Sequence, residues 1–108
     1  MKAKAQKSKG RTVIVGTNSG GLWYGQVRQR DADILRVGIA TIYGARHVRY
    51  WYGRTGGISS LAAYGPCGPR AAESRIGAPD PATSLSCVAA VHTCSDEAIA
   101  AFAAIEAK

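Results

Sequence analysis

The chain has 108 residues, 46% of them hydrophobic by a count that includes Ala, and carries 14 Lys+Arg against 7 Asp+Glu for a formal net charge of +7. Two cores do not fit in so short a chain, and no apolar run approaches the roughly 18 residues of a membrane span, so a multidomain enzyme and a transmembrane helix are excluded. Two Trp, five Tyr, one Phe and one Met stand beside 13 Gly, so the apolar fraction is largely small side chains, the expected core is thin, and assembly with neighbours is favoured.

The charge is polarised along the chain. Residues 1–11 hold Lys2, Lys4, Lys7, Lys9 and Arg11 with no acid, and residues 12–75 hold eight Arg against Asp31, Asp33 and Glu73. Residues 76–108 reverse the sign, with Lys108 against Asp80, Asp96, Glu97 and Glu106. Such polarity favours head-to-tail contacts or an anionic partner. The opening MKAKAQKSKG lacks the apolar stretch of a signal peptide, so secretion by that route is not expected. Residues 1–11 read as a basic arm ahead of a single domain over residues 12–108: by composition a solvated, disordered tail, and in the functional reading a partner-binding arm.

Residues 11–17 (RTVIVGT) are rich in β-branched side chains and run into Asn18-Ser19-Gly20-Gly21, a strand entering a hairpin turn. Residues 22–30 alternate, with Trp23, Gly25 and Val27 on one face and Tyr24, Gln26, Arg28 and Arg30 on the other. Asp31-Ala32-Asp33 reads as the next turn. Residues 34–43 read as a third strand, with Leu35, Val37, Ile39, Thr41 and Tyr43 sharing a face. Gly44-Ala45 is expected to break it before residues 46–52 resume as a fourth, in which His47, Arg49 and Trp51 oppose Arg46, Val48, Tyr50 and Tyr52. Gly53 to Gly57 is a loop. Ser59-Ser60 then caps a helical turn over residues 61–64, stopped by Gly65-Pro66. Residues 65–84 hold all four prolines and three glycines and read as an irregular Pro/Gly loop. Residues 85–93 alternate as a last strand. Ser95 is the N-cap of a C-terminal helix over residues 95–107, with Asp96 and Glu97 at its positive end and Ile99, Phe102 and Ala103 as its apolar stripe. The expected fold is α+β and β-rich: about five antiparallel strands as a curled sheet or small open barrel, one short helical turn, and a C-terminal helix covering one sheet face.

The stretch Gly44-Ala-Arg-His-Val-Arg-Tyr-Trp-Tyr-Gly53, followed by Ile58-Ser-Ser-Leu-Ala-Ala-Tyr-Gly65, resembles a family of small bacteriophage and prophage proteins. Their pattern runs Ala-Arg-Arg, an aromatic Trp-Tyr-Trp, then Ser-Leu, Leu-Ala and Gly. Gly21-Leu-Trp-Tyr-Gly25 and Cys94-Ser-Asp-Glu-Ala98 match its earlier and later segments, so the resemblance spans roughly residues 12–105. Three features depart from it: Gly44 in place of Asn, His47 in place of the second Arg, and the added Arg54-Thr55-Gly56. The resemblance implies a phage or prophage origin and a compact β-rich domain, and no chemistry.

The densest constellation is Arg46, His47, Arg49, Tyr50, Trp51, Tyr52 and Arg54, cations interleaved with aromatics. Trp, Tyr and Arg are the residues enriched at interface hot spots, and the same set stacks bases while Arg binds phosphate. A third reading, aromatics in the core with Arg on a solvated face, fits the alternation equally well. The odd count of cysteines, Cys67, Cys87 and Cys94, leaves one thiol outside any intrachain disulfide. Buried, reduced, inert thiols are expected, with an intersubunit bridge through Cys67 as the functional alternative. His92 and Cys94 share a spacing of two but lack the further ligands of a zinc site or the oxyanion donors of a nucleophilic one. No metal, cofactor or enzymatic activity is therefore expected.

The expectation from sequence is a non-enzymatic, phage-derived structural or assembly protein of the virion-associated or decoration type, packing against copies of itself or other virion proteins. The alternative is a phage accessory protein that binds a nucleotide signal or nucleic acid, countering a host defence. Either places the chain in the virion or the host cytoplasm, without a membrane.

Overall fold

The computed structural model describes residues 10–54 and 56–108. Lys2, Lys4, Lys7 and Lys9 of the basic arm lie outside those residues. The elements in chain order are β1 (Arg11–Thr17), β2 (Leu22–Val27), α1 (Asp31–Val37), β3 (Ala40–Tyr50), α2 (Gly57–Tyr64), a 3-10 turn (Ala71–Glu73), β4 (Arg75–Ile76), β5 (Asp80–Leu85), β6 (Val88–Thr93) and α3 (Asp96–Ala103). All strand pairings are antiparallel.

One six-stranded sheet runs β6-β1-β2-β3, and the far edge of β3 is shared by β5 beside Ala40 to Ala45 and β4 beside Val48 and Tyr50. β5 and β6 occupy opposite edges yet are joined through Ser86 and Cys87 alone. In a flat sheet four strand spacings would separate them by about 19 Å, whereas the link spans at most about 11 Å. The sheet must curl, and it does so without closing, as the expected α+β fold requires.

Strand alternation divides the interior into two cores. Val13, Val15, Val27, Ile34, Ala40, Ile42, Ala45 and Val88 pack inside the curl, with Trp23, Leu85 and Val91 partly buried against them. Ile14, Leu22, Val48, Leu61, Ala62, Ile76, Cys94, Ala98, Phe102 and Ile105 pack on the other face, beneath α2 and α3. The expected faces of β2 are realised: Trp23 packs inside the curl and Tyr24 stacks on Phe102 of α3, with ring centroids 3.8 Å apart.

The segment expected to be a turn and a third strand is instead a helix followed by a strand. α1 begins with Asp31 and Asp33 in its first turn, carries Arg36 in its last and ends on Gly38 in the left-handed region (φ 75°), whose N–H donates to Ile34 O at 2.7 Å. Acids near the N-terminus, a base near the C-terminus and a left-handed glycine favour the helix over the strand that the apolar spacing suggests. Leu35, Val37 and Ile39, expected to share a strand face, are 49%, 52% and 49% exposed, while Ile34 is fully buried.

Five further boundaries are corrected. Gly44 bends β3 without ending it. α2 begins at Gly57, so Ser59 and Ser60 lie within the helix, although Gly65 stops it as expected. The Pro/Gly segment holds β4, β5 and the 3-10 turn; Pro81 is tolerated in β5 because only β3 pairs with that strand. The last expected strand is two, since residues 86 and 87 turn between β5 and β6, with Cys87 at φ 57°. α3 ends at Ala103 rather than at 107 and buries Ala98 and Phe102, leaving Ala103 exposed. Its N-cap is Ser95, whose Oγ accepts from Ala98 N at 3.0 Å and donates to Ala63 O at 2.5 Å, fastening α3 to α2.

Candidate functional site

The sequence offered one basic aromatic strand, but β3 distributes those residues over three places. Between Gln26↔Tyr43 and Tyr24↔Arg46 in the β2 register, β3 contains one extra residue. Gly44 sits there at φ 63°, the left-handed conformation a glycine bulge needs. Before the bulge Ala40 and Ile42 point into the curl; after it Ala45 does so, and Arg46 and Val48 turn to the α3 side.

Arg46 is thereby drawn into the interior, 8% exposed. Its Nε donates to Gly77 O at 2.8 Å, and its two terminal nitrogens donate to Phe102 O at 2.8 Å and Ile105 O at 2.9 Å. The last carbonyls of a helix lack intrahelical donors, and a cation there also meets the negative end of the helix dipole. Arg46 therefore serves as the C-terminal clamp of α3 and is not open to a ligand. Burial pulls its guanidinium pKa down, partly countered by Tyr24. Burial likewise pushes the Cys94 thiol up to about 12 and Tyr24 up to about 12, so this cluster is chemically quiet at neutral pH.

His47 faces the other way and stacks on Trp23, with ring centroids 4.4 Å apart and planes at 21°. Both rings line a cleft of about 740 Å³ together with the β1–β2 turn and the Ser86-Cys87 link. A second irregularity against β4 falls at Arg49, between Val48 and Tyr50, and Arg49 is exposed. Trp51 then packs half-buried on the α2/α3 core and is unavailable as a stacking surface.

What remains at the β3 exit is a surface of arginines paired with tyrosines. Tyr50 and Tyr52 meet edge to face at 5.9 Å. Arg75 Nε donates to Tyr50 Oη at 3.2 Å. Arg70 lies 4.1 Å over the Tyr52 ring, donates to Tyr52 Oη at 3.1 Å and forms an ion pair with Glu73 at 2.7 Å. That hydrogen bond holds the Glu73 carboxyl below its ordinary value. Arg54 lies 4.3 Å over Tyr64 and, among the described residues, has no acidic partner. The surface is anchored from behind: Tyr52 N donates to the buried Ser74 Oγ at 3.0 Å, and Tyr52 O accepts from Cys67 N at 3.0 Å. Between Arg54 and Arg70 lies a cleft of about 510 Å³ with Cys67 on its wall. Guanidinium groups held on aromatic faces present their edges as preorganised donors to a carboxylate or phosphate.

Of the expected site, Tyr50, Tyr52 and Arg54 are thus brought together, Arg49 is exposed beside them, and Arg46, His47 and Trp51 are directed elsewhere. Tyr64, Arg70 and Arg75 join from segments read as a helical turn and a loop. Arg11 of the expected arm opens β1, pairing with Asp31 and donating to Gln29 O at 3.0 Å. Of the thiols expected to be buried only Cys94 is; Cys67 is half-buried and Cys87 exposed, and all three are free. His92 lies on β6 opposite Ile14, and Cys94 sinks into the α2/α3 core, on the opposite side of the sheet from the His47 cleft. Among the described residues no three metal-ligating side chains converge and no helix is long and apolar enough to cross a membrane.

Neither the curated proteins nor the solved structures contain a match to this chain. The family model described as a domain of unknown function, DUF6948, matches residues 10–102, which takes in every strand and nearly all of α3. The chain belongs to the DUF6948 family.

Proposed function

We propose that this is a non-enzymatic structural or assembly protein of phage or prophage type, which packs against copies of itself or other virion proteins through the arginine–tyrosine surface at the β3 exit. The observation that carries the reading is that surface: Tyr50, Tyr52 and Tyr64 are each paired with Arg75, Arg70 or Arg54 on a backing fixed by Ser74. Tyr and Arg dominate interface hot spots because they bring large contact area and directional donors with little remaining freedom to lose. The lysines of residues 1–11 add positive charge, and the acidic final third of the chain supplies a complementary sign on the next copy.

Native mass spectrometry and light scattering on the full chain, across a hundredfold range of concentration, test the proposal. Reversible self-association or co-sedimentation with phage particles is expected, weakened about tenfold or more in an Arg54→Ala, Arg70→Ala double variant that keeps its fold, the scale of a hot-spot truncation. A chain that stays monomeric throughout and leaves particles unbound overturns it. Arg49 and Arg54, exposed and without acidic partners among the described residues, favour a second reading in which the surface binds nucleic acid. Steeply salt-dependent binding to a single strand, lost in the same double variant, would mark that outcome.

A further inference from the structure

The cleft between the β1–β2 turn and the β5–β6 link is separate from the arginine–tyrosine surface and has the makings of a ligand site. We infer that it binds the planar ring of a nucleobase.

Three observations carry the inference. First, the cleft has a floor of two heteroaromatic rings, Trp23 and His47, already parallel to within 21° and 4.4 Å apart. A third planar ring extends such a stack, and stacking on an aromatic side chain is what holds bases to sheet surfaces. Second, the cleft is rimmed by planar groups with unspent hydrogen-bonding capacity. The Asn18 amide, the Trp23 indole N–H and the His47 imidazole have no hydrogen-bond partner among the described residues. An amide offers a donor and an acceptor side by side, the complement of the adenine edge, while Ser86 and Ser84, the latter 3.4 Å from the Thr41 hydroxyl, add hydroxyls to the lining. Among the described residues no Lys, Arg, Asp or Glu lines the cleft, which suits the neutral ring end of such a ligand. Third, its wall is built on a strained backbone. Cys87 is the one described non-glycine residue at positive φ, and its carbonyl accepts from Asn18 N at 2.9 Å, tying the two loops that face each other across the opening. Non-glycine residues in that conformation persist only where their surroundings impose it, and they cluster at binding sites. The volume of about 740 Å³ is in the range of a small-molecule site.

The test uses the full chain with Trp51→Phe, so that Trp23 is the sole tryptophan and can be excited selectively over the tyrosines, titrated with adenosine, cytidine, N-acetylglucosamine and a six-residue oligoadenylate. Saturable quenching by adenosine is expected, with cytidine weaker and N-acetylglucosamine inert. Asn18→Ala, an exposed turn position, should weaken adenosine about tenfold, and His47→Ala by a similar factor through lost stacking, both with unchanged far-ultraviolet circular dichroism. If the oligonucleotide saturates well below adenosine, the base is presented on a strand; if the two are equal, it comes as a free nucleoside; both support the inference. No saturation by adenosine up to millimolar concentration, equal binding of N-acetylglucosamine, or full affinity in the folded Asn18→Ala variant overturns it.

Discussion

Replacing Arg46 should damage the fold more than any other single change to a charged side chain, and the structure sets the size of the effect. Its guanidinium makes three hydrogen bonds of 2.8–2.9 Å to backbone carbonyls, two of them at the frayed end of α3. Hydrogen bonds to a charged group are each worth about 1.5–3 kcal/mol, but they do not add within one cluster. Truncation leaves three carbonyls without this donor, each worth about 1–3 kcal/mol, so Arg46→Ala should cost about 3–5 kcal/mol after that non-additivity, a large share of the roughly 5–15 kcal/mol of a small domain. With a urea slope of about 1–3 kcal/mol per molar, the unfolding midpoint should drop by about 2 M. Arg46→Lys keeps the charge but offers one nitrogen in place of three, so it should recover less than half of the loss. Amide exchange supplies the local readout, with residues 100–105 losing protection before the strands do. A shift below about 1 kcal/mol in Arg46→Ala, or unaltered exchange at the end of α3, would refute the clamp and return Arg46 to the candidate ligand site.

Gly25→Ala should be destabilising by about 1–3 kcal/mol in thermal unfolding, because its Cβ would fall 2.5 Å from Ile42 Cγ2 and 2.9 Å from Tyr43 O, where the bulge brings β3 close. Cys87→Gly should do the opposite, raising stability by about 0.5–1 kcal/mol by relieving the left-handed conformation at φ 57°; a lower melting temperature would show that the strain had been misjudged. Burial holds both Cys94 and Tyr24 protonated, at about 12 against ordinary values of 9.0 and 10.0. Acids raised in this way contribute stability that is complete below the unfolded pKa and lost as pH climbs through the folded one. The urea midpoint should therefore hold to about pH 9 and fall between pH 9 and 12, and Tyr24→Phe should flatten the part above pH 10.

The strands that sequence made legible are those whose alternation meets a core on both sides. β1 and the faces of β2 read correctly because Val13 and Val15 face one core, Ile14 the other, and Trp23 and Tyr24 divide between them, although β2 ends at Val27 rather than at residue 30. α3 was announced by Ser95 and its two acids. α1 was hidden because Ile34, Leu35, Val37 and Ile39 mimic a strand period, and the end effects of Asp31, Asp33, Arg36 and Gly38 outweigh it. β4 and β5 were hidden for a different reason: Pro/Gly content argues for loops, yet both strands need only the edge that β3 offers. No pattern within residues 65–84 could reveal a partner supplied 35 residues earlier, for the pairing of Ala45 with Asp80 is a tertiary fact.

A single residue of extra length decides which side of the sheet each residue of the candidate site meets. Strand alternation assigned Arg46 and Tyr50 to one face and His47 to the other on the assumption that period two begins afresh at Arg46. In the fold, Gly44 adds its residue inside a continuous strand, and even-numbered positions change sides across it: Ile42 lies within the curl, Arg46 and Val48 beneath α3. The shift lets one strand serve three purposes. Its first half completes the inner core, Arg46 secures the last helix, and His47 is delivered to Trp23 at the mouth of the open sheet. Without the bulge the parity set by Ala40 and Ile42 would carry Arg46 into the apolar interior of the curl, where no helix-end carbonyls await it, and the desolvation of an unpaired guanidinium would be prohibitive. Gly44 is therefore the residue on which both the attachment of α3 and the aromatic lining of the cleft depend, through its backbone conformation alone.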